Sequence, residues 1–422
     1  MFYVMRNAFS TFINCTIVFA LLFCVKQSKA QNQQFAKGAD ISWLSEMESK
    51  GQKFYNDAGN QQDCRLILRD HCLNSIRLRV WVNPTNGFCG KADVVAAALK
   101  VAKMGFRIMI DFHYSDSWVD PGQQTKPSAW TNYTTTQLIQ AIYDHTFDVM
   151  STLAQNGIYP EWVQVGNETN NGMLWDDGKA STNMANFAKM ISSGYKAVKA
   201  VSPKSKVIVH LSNGFDNALF RWMFDGLKNN GAQWDVIGMS FYPTTTDWQT
   251  LITQCLSNMN DMVTRYSKEV LISEVGLDQN APQTTFDLLT DLMTKVRSIP
   301  NNKGLGVFYW EPECYNWNGY GKGAWGANGR PTLAIDAFSF ECNVFKVSLK
   351  PGWNYIGCPI IGSTPLSSAL ASIWTNVETI KNQDEFFAKA NPSALNSLTQ
   401  VQWGRGYMIK VTNSCVLDWI VK

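Results

Sequence analysis

The chain has 422 residues, with 37 Lys and Arg against 34 Asp and Glu and a 45% hydrophobic share, enough apolar material to exclude wholesale disorder. Its formal charge of +3 is matched by Arg6, Lys26 and Lys29 in an N-terminal stretch without acids, so the remainder is neutral. No Lys/Arg block is left to hold a phosphate backbone, which argues against nucleic acid and against a strongly anionic substrate.

Residues 1–30 read as an export signal. Arg6 supplies the positive start, Ile17–Val25 the apolar core, and Ser28-Lys29-Ala30 the small residues of a cleavage site. That core is too short to span a bilayer comfortably, and no later segment is apolar for long enough. The expected product is soluble and secreted, extracellular or periplasmic, with cell-surface association left open. Export permits disulfides among Cys64, Cys72, Cys89, Cys255, Cys314, Cys342, Cys358 and Cys415. Cys64 and Cys72 on one helix would lie about 12 Å apart, too far to bridge. Cys358–Cys415 is expected as a local pair, and the other connectivity stays open. No Cys-x-x-Cys spacing occurs and the four His are scattered, so neither a zinc site nor any cofactor is expected.

From Phe35 onward a short β-branched run, a loop and a helix-like stretch recur. The strand-like runs are Phe35–Ile41, Ser75–Trp81, Arg107–His113, Trp162–Glu168, Lys206–Ser212, Val236–Tyr242, Val270–Gly276 and Gly306–Glu311. Asp93–Met104, Thr136–Asn156 and Thr284–Arg297 are amphipathic, with Gly105 placed to cap the first. This alternation predicts an α/β fold, a (β/α)8 TIM barrel over 31–342, with a small β-rich module over 343–422. A doubly wound sheet fits less well, because no Gly-x-Gly-x-x-Gly follows the first strand.

In such a barrel the chemistry sits at the C-terminal ends of the strands. Those ends carry Asp40, Arg79, Asp111 with His113, Asn167 with Glu168, His210, Tyr242, Glu274, and Trp310 with Glu311. Glu168, in GNET, ends strand four, and Glu274, in ISEVG, ends strand seven. Acetal cleavage needs one carboxylic acid to protonate the departing oxygen and a second carboxylate to attack the anomeric carbon, about 5–5.5 Å apart for retention. Strands four and seven face each other across a closed barrel, so this pair is the predicted catalytic centre.

The segments GADIS, IRLRVWVNP, DFHYSDSWVDPGQQTKPSAW, VGNETNNGMLW, MSFYP, ISEVG and FYWEP occur in this order between Gly38 and Pro312. Together they resemble glycoside hydrolase family 53, the endo-β-1,4-galactanases that cut arabinogalactan and pectic galactan side chains. The resemblance implies a retaining mechanism, with Glu168 as acid/base, Glu274 as nucleophile and Asn167 on the sugar 2-hydroxyl. It implies that Arg79 and Tyr242 orient the nucleophile, and that Asp40, His113 and Asp116 lie near the sugar-binding floor beside Asp111. Trp310 becomes the stacking platform, Trp118, Trp175 and Trp325 become outer-subsite candidates, and His210 a binding or supporting residue. Some bacterial relatives bind calcium after strand seven. Here 277–304 offers only Asp278 early and soon turns helical, so no calcium is expected.

The last 80 or so residues change character. VFKVSLKPGWNYIGCPII, WGRGYMIKV and CVLDWIVK read as strands, and Pro365–Thr375 as helical. The aromatics Trp353, Tyr355, Trp374, Trp403, Tyr407 and Trp419 fit either a carbohydrate-binding face or the core of a small domain. The resulting expectation is an endo-acting hydrolase of β-1,4-galactan with a polysaccharide partner. The alternatives are an endo-hydrolase of another β-1,4-glycan, mannan or glucan, or a non-catalytic glycan-binding surface protein.

Overall fold

The computed structural model describes residues 34–339, 343–360 and 363–421. The proposed leader and Cys342 lie outside them. Eight parallel strands close into a barrel: β1 (Ala36–Asp40), β2 (Ser75–Val80), β3 (Arg107–Phe112), β4 (Trp162–Val165), β5 (Lys206–Leu211), β6 (Val236–Phe241), β7 (Glu269–Val275) and β8 (Gly304–Trp310). Each begins and ends within two residues of its expected run, except that β4 stops three short, at Val165. The loop that begins there carries Asn167 and Glu168.

Helices cover the barrel. Among them are α1 (Leu44–Ser49), α2 (Cys64–Asp70), α3 (Lys91–Lys103), α4 (Thr135–Gln155) and α5 (Ala180–Val201). The longer of these alternate apolar and polar faces at the helical period, and α4 opens on a capping box between Thr134 and Gln137. Inside the barrel, Trp162 of β4 and Phe308 of β8 meet edge to face at 5.8 Å. These strands are not neighbours, so the contact crosses the interior and plugs it. A Cβ at Gly38 of β1 would lie 2.2 Å from the Phe308 ring, which is why GADIS carries glycine there.

The tail forms β9 (Asn343–Leu349), β10 (Gly352–Gly357), β11 (Ser363–Pro365), β12 (Val377–Lys381), β13 (Phe386–Ala388), β14 (Gln400–Gln402), β15 (Gly406–Val411) and β16 (Cys415–Val421). A four-stranded antiparallel sheet runs β10-β15-β12-β13, flanked by the pairs β9-β16 and β11-β14. The expected helical stretch is a short helix at Leu366–Ala369 followed by a 3-10 turn at Ala371–Asn376. The tail has its own core, with Leu349, Ile356, Ile380, Tyr407, Ile409 and Trp419. It touches the barrel at the N-terminal ends of the strands. Ser368 Oγ donates to Lys103 O at 3.2 Å where α3 turns into β3, and Arg69 of α2 faces Asp418.

The cysteines correct one expectation. Cys358 and Cys415 are both free thiols, as are Cys64, Cys89, Cys255 and Cys314, while Cys72 is disulfide-bonded. Cys358 is buried in the apolar tail core, where it packs as a small hydrophobe.

Candidate active site

Strand side chains alternate between the interior and the helices, and going up the interior they change from apolar to polar. Met109, Trp162 and Ile208 belong to the lower, apolar cluster. Asp111, Gln164 and His210 follow each of them two residues later. Strand β7 breaks this alternation. Its register against β6 shifts between Met239 and Ser240, which brings Glu274 opposite Ser240. Such a bulge re-aims one side chain, and here it turns Glu274 into the mouth.

Arg77 is the hub of this layer. Its guanidinium lies 2.7 Å from Asp40 Oδ2, 2.8 Å from Asp111 Oδ2 and 2.8 Å from Glu274 Oε1. It also donates to Asn167 Oδ1 at 3.2 Å. Asp40 further accepts from the Ser42 hydroxyl at 2.5 Å, and Asp111 from Gln164 Nε2. Asp111 Oδ2 lies 2.8 Å from His113 Nε2. Removing either side of such a buried charge cluster is costly, because the remaining ions lose their compensation.

The two predicted catalytic carboxyls have different supports. Glu274 pairs with Arg77 and accepts from the Tyr242 hydroxyl at 2.8 Å. Glu168 Oε1 lies 2.6 Å from Ser240 Oγ, which lies 2.8 Å from His210 Nε2. His210 Nδ1 in turn sits 3.1 Å from Asn167 Oδ1. The backbone puts Glu168 at φ 42° two residues after Gly166 at φ 84°. The acid thus rides on a left-handed turn that is strained for any residue with a Cβ. Burial pushes both carboxyls above their usual range, Glu274 to about 8. Arg77 opposes that at Glu274 through a direct ion pair, whereas the direct side-chain partner of Glu168 is a neutral hydroxyl. Of the two, Glu274 is therefore the better supported as a charge and Glu168 as a holder of the proton. Burial also pushes His210 well below its usual value, so its imidazole is neutral.

An aromatic wall stands beside the pair. Trp310 packs at 5.2 Å against Trp43, 5.8 Å against Trp118 and 4.9 Å against Tyr320. The cleft is lined by His113, Trp118, Val119, Asp120, Asn167, Glu168, Tyr242, Glu274, Trp310, Tyr320 and Lys322. The β3 loop is latched onto the catalytic turn. Gln124 Nε2 donates to Asn167 O at 2.9 Å, and Asn167 Nδ2 donates to Val119 O at 2.9 Å.

Seven of the predicted site residues thus line one cleft: Glu168, Glu274, His113, Trp118, Asn167, Tyr242 and Trp310. Asp40, Asp111 and His210 are fully buried beneath it and act on its walls. Four expectations are corrected. Arg79 does not reach the nucleophile candidate. It is sealed under Trp118, 4.0 Å from that ring, and pairs with Glu311 at 3.3 Å, while Arg77 one turn of the pleat below takes the expected place. Asp116 is a loop clasp, accepting from Asn83 N at 3.0 Å and from Ser128 N at 2.8 Å. Trp325 is 2% exposed and packs on Phe54 in the core, so it offers no platform. Trp175 lies off the cleft, its indole N–H donating to Asn171 O at 2.8 Å. Arg77, Ser240, Trp43, Asp120, Tyr320 and Lys322 were not singled out. Arg77 and Ser240 lie inside the quoted segments IRLRVWVNP and MSFYP, but nothing in the pattern marks their depth.

Among the described residues, Glu311, Glu313 and Cys314 bring possible metal ligands within 4.8 Å of one another. Burial pushes Glu313 well above the carboxylate range, and Arg79 already supplies the cation beside Glu311.

A paired acid and carboxylate under an aromatic wall, at the C-terminal rim of an eight-stranded barrel, defines a glycoside-cleaving hydrolase. The chain belongs to glycosyl hydrolase family 53, whose family model matches residues 36–401. That match runs beyond residue 342 into the tail, further than the sequence segments alone suggested. A probable arabinogalactan endo-β-1,4-galactanase A of Aspergillus fumigatus is 34% identical over 321 residues, covering 70% of this chain and 89% of that one. A solved fungal β-1,4-galactanase is similar with a TM-score of 0.66 at 29% identity, covering 71% of this chain and 98% of that one. The family 53 catalytic domain of Ignisphaera aggregans gives a TM-score of 0.64 at 30% identity, covering 72% and 95%.

Proposed function

We propose that the protein hydrolyses internal β-1,4-galactosidic bonds of galactan with retention, Glu168 serving as acid/base and Glu274 as nucleophile. The observation that carries this reading is the unequal support of two carboxyls in one cleft. In the first step Glu168 gives its proton to the glycosidic oxygen while Glu274 attacks the anomeric carbon, forming a glycosyl ester and releasing the aglycone chain as an alcohol. In the second, Glu168 takes a proton from water as that water attacks the same carbon, and Glu274 leaves as carboxylate. Arg77 and the Tyr242 hydroxyl hold Glu274 ionised and aimed. Asn167, whose Oδ1 is occupied by Arg77, keeps one amide proton for the sugar 2-hydroxyl. Trp310 and Trp118 give the sugar rings a flat apolar surface.

The galactan preference rests on family membership and on the names of the relatives, and so does an endo mode of attack. Residues 1–30 are read as a leader for export, 31–342 as the catalytic barrel and 343–422 as an appended module. No helix among the described residues is long and apolar enough to cross a membrane. The test is reducing-end release from debranched β-1,4-galactan, with β-mannan and β-glucan alongside and Glu274→Ala as control. Oligosaccharides from galactan, absent in the control, are expected. Release only from mannan or glucan overturns the substrate, and binding without release overturns catalysis.

A further inference from the structure

We infer that the outer face of the four-stranded tail sheet is a docking platform for an anionic polysaccharide, a polyuronate. Strand register defines the face. In one row Trp353 pairs with Lys410, Lys410 with Thr379 and Thr379 with Ala388. In the next, Tyr355 pairs with Met408, Met408 with Lys381 and Lys381 with Phe386. Across four strands these rows span about 14 Å, and the two rings on β10 stand about 7 Å apart. Trp353 is 47% exposed, Tyr355 81% and Phe386 43%. The reverse face carries Ile356, Tyr407, Ile409 and Ile380, all buried in the tail core. The fold therefore has its core without the outer rings, and an open row of large apolar side chains marks an interaction surface.

The occupant follows from charge. None of the eight positions in the two rows is acidic. Lys381 Nζ lies over the Trp353 ring, 5.2 Å from its centroid, so an ammonium and an aromatic ring meet at one spot on the face. Lys410 pairs with Glu378 at 2.7 Å, both partly exposed, a surface contact weak enough to exchange for another anion. The neutrality of the chain after its leader conceals a segregation. Residues 31–342 hold 27 basic and 30 acidic side chains, whereas 343–422 hold seven and four. The barrel end of the protein is acidic and the tail basic. A uronate chain meets both features of the face, its ring faces on the aromatics and its carboxylates on Lys381 and Lys410. A neutral glycan would use only the first.

The test takes the full chain to immobilised polygalacturonate and alginate, with cellulose as neutral polymer and phosphatidylglycerol vesicles as a non-glycan anion. Retention on both polyuronates is expected, weakening as salt rises. In Trp353→Ala/Tyr355→Ala retention should fall about tenfold or more, with turnover of soluble galactan unchanged as the measure of folding. Lys381→Glu, which keeps both rings, should lower retention similarly and flatten its salt dependence. Failure of the wild type to be retained, equal retention of the ring variant, equal binding to cellulose, or binding to vesicles alone would each overturn the proposal. Retention is read independently of turnover, and for a chain inactive on galactan the urea-unfolding midpoint takes the place of turnover as the measure of folding.

Discussion

At the mouth of the barrel, Trp43, Trp118, Trp310 and Tyr320 pack ring against ring, with Arg79 against Trp118, and leave a groove. In the tail, Trp353 and Tyr355 stand in the open on an edge strand while Tyr407 and Trp419 close the core beneath. The same residue types thus serve as wall, as surface and as filling. What separates them is backbone geometry. A barrel rim gathers loops from many strands around one depression, so its rings must share space with buried charge. A one-sided sheet sends alternate residues to opposite fates, and charge enters only on the wet side.

That contrast breaks first at the carboxylates. Glu274→Ala should lose about 10⁴-fold or more in turnover on every substrate, whatever its leaving group, as measured by initial rates. A substantial residual rate on activated substrates would remove Glu274 from the nucleophile role. Glu168→Ala should lose about 10²–10⁴-fold on galactan but much less on an aryl galactoside with a very good leaving group. Equal losses on both would undo its assignment as acid.

The tail sharpens the comparison by stability. Trp419→Ala should cost about 3–5 kcal/mol in urea unfolding of the tail, because it empties a filled core. Tyr355→Ala should stay within about 0.5 kcal/mol. Similar costs for both would mean that the outer ring is structural. The smallest expected effect is at Ser240. Turnover needs Glu168 protonated, and burial raises that carboxyl, so the alkaline limb of kcat/KM should lie above the ordinary carboxylate value. The Ser240 hydroxyl favours the charged form of Glu168. Ser240→Ala should therefore move the alkaline limb to higher pH while leaving Glu274's contacts intact. A downward move would show that Ser240 instead holds the proton in place.

Most of the barrel was legible because each strand body is apolar and each C-terminal end polar. Glu168 and Glu274 stood out for the same reason. The errors share a physical cause. Arg77 and Arg79 have the same parity on one strand, and alternation says which way a side chain points but not how far up the barrel it lies. Asp116 and Trp325 sit in loops, where spacing carries no direction, so a clasp and a core ring read like cleft residues. Ser240 gained its role through the bulge in β7, a feature of pairing between two strands that neither strand's own sequence displays. In the tail, the Cys358–Cys415 pairing rested on proximity in sequence, whereas Cys358 packs in a buried apolar core.

The tail grips the barrel through Lys103 O and the neighbourhood of Arg69, where helices return to the starts of strands. Pulling on the tail would load those return loops. The rim that carries Glu168 and Glu274 lies at the other end, one barrel length from the grip. A molecule held from behind would keep its cutting edge unstressed and facing outward.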